Sequence, residues 1–456
     1  MTTSVIDLGD VSYSPGEPEV YPDGSREFDR ARLGRLAKVA VAVLAALVLG
    51  GSGLPGPPVL HEVWSMPYSQ VESMVIDEGR LLVRRNEGGE TDLTAYDLAT
   101  GATHWTLDTG ESQNWMGFTL QAGVLLLPGD EKTIEITTDD GGMMGYSYAG
   151  STTALDPATG RPLWERPGSP FGEPATDTLL MFERSDAGPL TWIRLVRVRD
   201  GSTVWERRAP EKSDTVVVQM DGEVPARVVT ASPEGDLTVL RYDDGTQVFA
   251  GSVPWRPMSY NTGAGTNLSS AAGRLVVTDT GLDVNTDRSR VTVYRTDDLT
   301  PLWSRDAAGW ANVQDCGPLV CLGVMQEGLE AVDPQTGERR WAIDGAQFAG
   351  EVAGGERLLI TGSDDRPRQT LVDAATGRAI GPGSSGGVLY QDAGRGTATL
   401  LRDLDVSRSA VNRIDTTTGR SITLGGMGGG VRQFCIGEQG WIVCTTDDRL
   451  VVTAVG

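Results

Sequence analysis

Asp156-Pro157-Ala158-Thr159-Gly160, with Trp164 four residues further on, and Asp333-Pro334-Gln335-Thr336-Gly337, with Trp341 at the same distance, are two copies of one short motif. Asp97-Leu98-Ala99-Thr100-Gly101 with Trp105 is a third. Looser copies stand at Gly201 with Trp205, at Gly245, near Thr300 with Trp303, at Gly377 and at Gly419. The eight copies recur at a base interval of roughly 40 residues, and two longer intervals hold polar insertions. Each copy has the chemistry of a tight hairpin. A strand such as Thr153–Asp156 arrives, the Asp carboxylate accepts backbone N–H groups, and Gly supplies a positive φ. The departing strand carries a Trp, able to bury on the order of 150–250 Å² between neighbouring sheets.

Between the motifs lie short apolar runs, among them Leu81–Val83, Val124–Leu127, Leu275–Val277 and Leu358–Ile360, bounded by Gly, Asp or Arg. Such runs suit buried strands. Strands in groups of four, repeated at a fixed period, predict an all-β fold: a β-propeller of about eight four-stranded blades, preceded by one transmembrane helix. The motif weakens in places. Phe249 stands for the Trp in the fourth copy, Gly381 in the seventh and Thr423 in the eighth, and looser packing is expected there. After Gly419 come only three strand-like runs, Val431–Ile436, Trp441–Thr445 and Leu450–Val455. The lone strand Val59–Met66, with Trp64, is expected to supply the fourth and close the ring. A literal count then gives nine units. Treating one weak unit as miscounted, the expectation is eight.

The N-terminal region divides into a disordered tail (1–35), an apolar segment (36–54) and a linker (55–58) before the propeller (59–456). Residues 1–25 hold no Lys or Arg. The nearly all-apolar Val39–Leu54 falls a little short of the usual ~20-residue span, and snorkelling of Lys38 extends it. Arg26, Arg30, Arg32, Arg35 and Lys38 precede it, so the tail is expected in the cytoplasm and the propeller outside. An uncleaved signal anchor in the cell membrane is the reading, with a cleaved signal peptide as the rival. The four cysteines fit two disulfides within hairpins, Cys316 with Cys321 and Cys435 with Cys444, in an oxidising compartment.

The formal net charge is −23. That argues against nucleic acid, whose affinity rests on Lys and Arg neutralising phosphates. The two histidines, His61 and His104, have no neighbouring Cys or second His, and no Gly-x-Ser-x-Gly elbow is present. Asp283, Asn285 and Asp287 offer alternating oxygen ligands of the kind Ca²⁺ takes, but Arg288 stands where an EF-hand needs Gly and Tyr294 where it needs Glu. A polar loop is therefore expected there, and another at 137–145, whose Met143 and Met144 mark a contact surface. No catalytic, cofactor-binding or metal-binding residue is assigned.

The Asp-Pro-x-Thr-Gly-x-x-x-Trp pattern at 156–164 and 333–341 resembles the repeat of PQQ-like, quinoprotein-type β-propellers, over roughly 59–456. The resemblance implies the fold. It is compatible with quinoprotein alcohol dehydrogenases and with non-enzymatic scaffolds of outer-membrane assembly. The dehydrogenases sandwich their quinone against a disulfide between adjacent cysteines, and use Ca²⁺ ligands and an Asp base. No Cys-Cys pair occurs here. The expected function is a membrane-anchored, extracytoplasmic scaffold that binds a protein or envelope ligand, with an apolar or conserved-looking funnel face that has no convergent carboxylates. The alternative is a propeller enzyme of the envelope, with several Asp, Glu or Asn side chains meeting in the central channel.

Overall fold

The computed structural model describes residues 60–456 apart from short stretches at 68–70, 88–89, 111–116, 138–140, 172–175, 223, 260–261, 282–287, 310, 325–327, 353, 363–366, 406–407, 429–431 and 447. The apolar segment 36–54 and the candidate Ca²⁺ loop at Asp283, Asn285 and Asp287 lie outside the described residues. Among those described, no helix is long and apolar enough to cross a membrane.

The strands assemble into nine four-stranded antiparallel sheets. Eight are built from consecutive strands, over 71–110, 119–167, 169–208, 215–252, 265–308, 311–344, 346–385 and 387–427. The ninth joins Arg432–Glu438, Trp441–Thr446 and Arg449–Val455 to Leu60–Pro67 from the other end of the chain. Leu60 pairs with Val455 and Pro67 with Arg449. The first strands of most successive blades touch one another, and that of the ninth meets that of the first, so the ring is closed. The expected count of eight is corrected to nine: each weak copy is a whole blade.

The second strand of each blade explains the unbroken apolar runs. Adjacent residues of a strand point to opposite faces, and here both faces are covered. Leu81 packs with Val443, Leu450 and Val452 of the ninth blade, while Leu82 packs with Leu125 and Leu155 of the second. Both are fully buried. Each such side chain contributes about 1.5–3 kcal/mol, so alternation of polar and apolar residues is absent where a blade lies between two others.

The repeat Trp ties each blade to the next blade's turn. The indole N–H of Trp105 donates to the Pro157 carbonyl at 3.1 Å, and a Cβ on Gly160 would fall 2.7 Å from the same ring. Trp64 stands this way on Leu98 and Gly101, Trp164 on Val198 and Gly201, and Trp205 on Tyr242 and Gly245. Trp303 does so on Pro334 and Gly337, and Trp341 on Ala374 and Gly377. Gly is therefore required twice over in the turn: for its positive φ (68° at Gly160) and because an indole lies flat against its Cα.

The weak copies are compensated rather than loosened. Phe249 of the fourth blade faces the turn of the fifth. There Arg295 N–H donates to the Thr300 carbonyl as Asp156 N–H does to that of Arg161, which places Leu299 at the Gly position. Leu299 adopts a φ of 51° and packs in one cluster with Phe249: a smaller ring leaves room for a side chain on the turn. In the seventh blade the backbone of Ile380 and Gly381 lies directly over Gly419, leaving no space for an indole. Thr423 of the eighth blade faces the ninth, whose third and fourth strands come from opposite chain ends and share no turn to dock on.

Both disulfides are formed. Cys316–Cys321 spans 5.6 Å between Cα atoms and Cys435–Cys444 spans 4.1 Å, each joining the first and second strands of its blade.

The turn Asp makes one fold element pH-sensitive. Asp333 is held at about 2, against an ordinary 3.8, first by Arg340, whose Nη2 lies 2.7 Å away, and then by the N–H groups of Gln335 and Thr336. A depressed carboxylate stabilises the fold above its unfolded value and loses that contribution as pH falls from about 4 to about 2. Arg340 is half exposed, so screening limits the effect to about 1 kcal/mol. The expected result is that the gap in unfolding midpoint between the native chain and Asp333→Asn closes as pH falls through that window. A gap constant from pH 5 to about 2 would refute it.

Candidate functional site

The turns joining first to second and third to fourth strands all emerge on one face of the ring. Across the fourth to seventh blades they wall a cavity of about 1200 Å³. Part of its polar lining, Gln219, Asp315 and Glu351, comes from one position in the fold that recurs in other blades: the end of the innermost strand, two or three residues before the turn Gly. Asp77 precedes Gly79, Gln121 precedes Gly123, Gln219 precedes Gly222, Asp315 precedes Gly317, Glu351 precedes Gly354 and Glu438 precedes Gly440. Four of these side chains stitch neighbouring blades. Gln121 Nε2 donates to the Thr178 carbonyl at 2.8 Å and Gln219 Nε2 to the Gly273 carbonyl at 2.6 Å. Asp315 Oδ1 accepts the Ala272 N–H at 2.5 Å, and Glu351 Oε1 accepts the Gly317 N–H at 2.7 Å. The Ala272-Gly273 turn is thus gripped from both sides.

Burial raises three carboxyls of this ring above their ordinary values. In Asp315 it outweighs the Ala272 N–H. Water reaches Asp315 on its open side, yet protein surrounds it on the others, so its solvation is poorer than its exposure implies. In Asp77 burial acts first and Glu78 second, against the charge of Arg80. In Glu438 burial acts first, then the negative charge of Asp77 across the seam between the ninth and first blades.

The two sides of the cavity differ in charge. On the fourth and fifth blades three arginines stand with Asp221 and Asp297; Arg227 pairs with Asp297 at 2.9 Å and Arg295 with Asp298 at 2.7 Å. Arg274 reaches only the Gly273 carbonyl and, at 3.5 Å, Gln335; among the described residues it has no ion pair. On the sixth and seventh blades stand Asp315, Glu351 and Glu356, with no ion pair among the described residues. The funnel, expected to be apolar or conserved-looking in a scaffold, has a lining that is apolar and polar in about equal parts. No group of three His, Cys, Asp or Glu able to hold a metal ion occurs among the described residues. His61 is exposed on the closing strand, and His104 lies 3.7 Å from Asp97 on the outer edge of the first blade. The cavity lining contains no His, Ser or Cys. The described lining can bind by charge and hydrogen bonds.

A quinone of the kind the repeat implies does not fit these residues. Both disulfides lie within hairpins, with Cys316, Cys321 and Cys444 fully buried, so neither presents a sulfur face to a planar ring.

A second feature rises from the opposite face. Val124–Thr137 and Met143–Leu155 form the longest hairpin of the molecule. Their flanking strands pair only with Val124–Leu126 and with Ser151–Leu155. Beyond that, from Glu131 and Ala149 outward, the two strands pair only with each other. The arm is steadied by the third blade: Tyr148 Oη donates to the Ser185 carbonyl at 3.2 Å, and Arg184 stands 5.9 Å over the Tyr146 ring. Met143 is 67% exposed, and Met144 and Tyr146 are exposed beside it. The loop expected at 137–145 is corrected in part, since Met143–Gly145 are strand; residues 138–140 lie outside the described residues.

The residues singled out from the sequence thus have separate places. The repeat residues and Trp64 lie on the outer strands and turns, where they hold blades together, and none lines the cavity apart from turn residues such as Asp373. Of the cysteines, Cys316 is next to Asp315. The inner polar ring escaped sequence reading, although its signal is there: a polar residue two or three positions before each first-turn Gly.

Nine four-stranded blades closed into a ring and stapled Trp-to-turn define a repeat propeller. A family model described as outer membrane protein assembly factor BamB matches residues 61–167 and 89–314, together more than half of the chain. The chain belongs to this family of PQQ-like propeller repeats. Among solved structures it is similar to BamB from Moraxella catarrhalis, at 16% identity and a TM-score of 0.39, covering 67% of this chain and 95% of that one. It is also similar to a europium-containing methanol dehydrogenase, at 12% identity and a TM-score of 0.40, covering 87% and 93%. A quinohemoprotein alcohol dehydrogenase from Pseudomonas putida HK5 matches at 12% identity and a TM-score of 0.36, covering 67% and 72%. No curated protein matches the chain.

Proposed function

We propose that the chain is a single-pass membrane protein whose propeller, held outside the cytoplasm by residues 36–54, serves as a protein-binding scaffold. The observation that carries this reading is the arm. Among the described residues no third strand pairs with either strand of its outer part, and its outer end displays Met143, Met144 and Tyr146. Unpaired edges recruit strands from other chains. Methionine and tyrosine are favoured at interfaces, where they bury large area at low ordering cost. The donor set of the funnel gives no support to the enzyme alternative.

The test is site-specific photocrosslinking in intact cells. A photoreactive residue at Met143 or Tyr146 should yield one discrete adduct with an envelope protein, while the same residue at Ile422, exposed on the outer strand of the eighth blade, should yield none. Adducts of equal yield at all three positions, or at none, would remove the arm as the binding surface. Resistance of the propeller to protease added outside the membrane would overturn its placement.

A further inference from the structure

The funnel is walled by features that protein-protein contact at the arm leaves unused. Asp315, Glu351 and Glu356 present negative charge on one side, with no cation paired to them among the described residues. Their positions are fixed, because Asp315 and Glu351 are each held at one oxygen by a backbone N–H of the preceding blade. The opposite side holds Arg274, whose Nε is buried without a hydrogen-bond partner. Two more lining side chains are more than nine-tenths buried and incompletely satisfied: Gln219, 7% exposed, whose Oε1 accepts nothing, and Thr296, 4% exposed, whose Oγ1 is unpartnered. Buried polar atoms left without partners are costly. Here they cluster in the wall of one cavity.

We propose that this funnel binds a polypeptide segment carrying a lysine or arginine. The cationic side chain lies against Asp315, Glu351 and Glu356. The segment's backbone carbonyls and N–H groups meet Arg274 and Gln219. A free polyamine fits less well, since it offers no acceptor to Arg274. The volume of about 1200 Å³ also exceeds the ~300–1,000 Å³ typical of small-ligand sites. The overall charge of −23 draws such a segment in from solution. The site lies on the face opposite the arm, so each can fail without the other.

Fluorescence anisotropy with the full propeller tests this. The probe is a labelled Gly/Ser peptide with two lysines, compared with the same peptide carrying two glutamates. The lysine peptide should bind and weaken as salt rises from roughly 50 to 300 mM, while the glutamate peptide should not bind. Asp315→Asn with Glu351→Gln, which keeps both hydrogen-bond acceptors, should weaken binding about tenfold or more with an unchanged unfolding midpoint. Arm variants should bind as the native chain does. Equal binding of the two peptides overturns the proposal, as does undiminished binding by the double variant. Full displacement by equimolar spermidine overturns the peptide assignment.

Discussion

Trp341→Ala lowers the stability of the propeller by about 3–5 kcal/mol, read as a fall in urea midpoint with an unchanged slope. Three losses add. Trp341 is 8% exposed and packs with Cys316, Leu358, Ile360 and Val372, so truncation removes transfer energy and leaves a cavity at the junction of the sixth and seventh blades. The Ala374 carbonyl loses the indole N–H at 2.9 Å. The Gly377 turn loses the ring that lies against it. Phe249→Ala should cost less, because Phe249 is only half-buried and its partner Leu299 also packs against Val253 and Tyr294. A loss below about 1 kcal/mol at Trp341 would mean that the stacks are ornaments on an interface held by the inner strands alone.

This pairing shows what the sequence made legible. The turn itself is a local event. Asp, Thr and Gly spell it within five residues, and the apolar runs spell the second strands. The chain's ends read correctly because Trp64 is a repeat Trp without its turn, and three strands need a fourth. The docking of a Trp on the following blade's Gly joins residues such as Trp105 and Gly160 that no local rule connects. Taken one at a time, Phe249, Gly381 and Thr423 look like decay. Taken with their docking partners, they are matched: Phe249 with Leu299, Gly381 with Gly419, Thr423 with a blade that has no turn. Discounting a weak copy therefore gave eight blades where there are nine.

The candidate site was less legible for a different reason. The inner polar residues share a place in the ring but not a fixed distance from the turn. A register shift between Gln219 and Met220 moves that residue one place further from Gly222 than Asp315 is from Gly317. Residue type varies as well, between Asp, Glu and Gln, because a backbone N–H needs an acceptor and a backbone carbonyl needs a donor. What Gln121, Gln219, Asp315 and Glu351 share is a hydrogen bond to the neighbouring blade, and that is a property of the folded ring.

Removal of the closing strand has the other large effect. A chain that begins after Pro67 should fail to give a stable monomer. It exposes the edge of Arg449–Val455, with Leu450 and Val452 beside it, and opens the cluster that Trp64 and Met66 cover over Leu81, Tyr96 and Leu98. Loss of Trp64 alone, with its bond to the Leu98 carbonyl at 2.9 Å and its stack on Gly101, is worth about 3–5 kcal/mol. The bared edge is also a template for association. Gel filtration should show oligomers or aggregate. The discriminating variant is a circular permutant that starts at Val71 and carries residues 60–67 after Gly456 through a short Gly-rich turn. Val455 already pairs with Leu60, so the permutant needs only a hairpin there, and it should elute as a monomer with a near-native midpoint. A monomeric, equally stable truncation would show that the ninth blade holds with three strands. An unfolded permutant would show that the strand must enter from the N-terminal side.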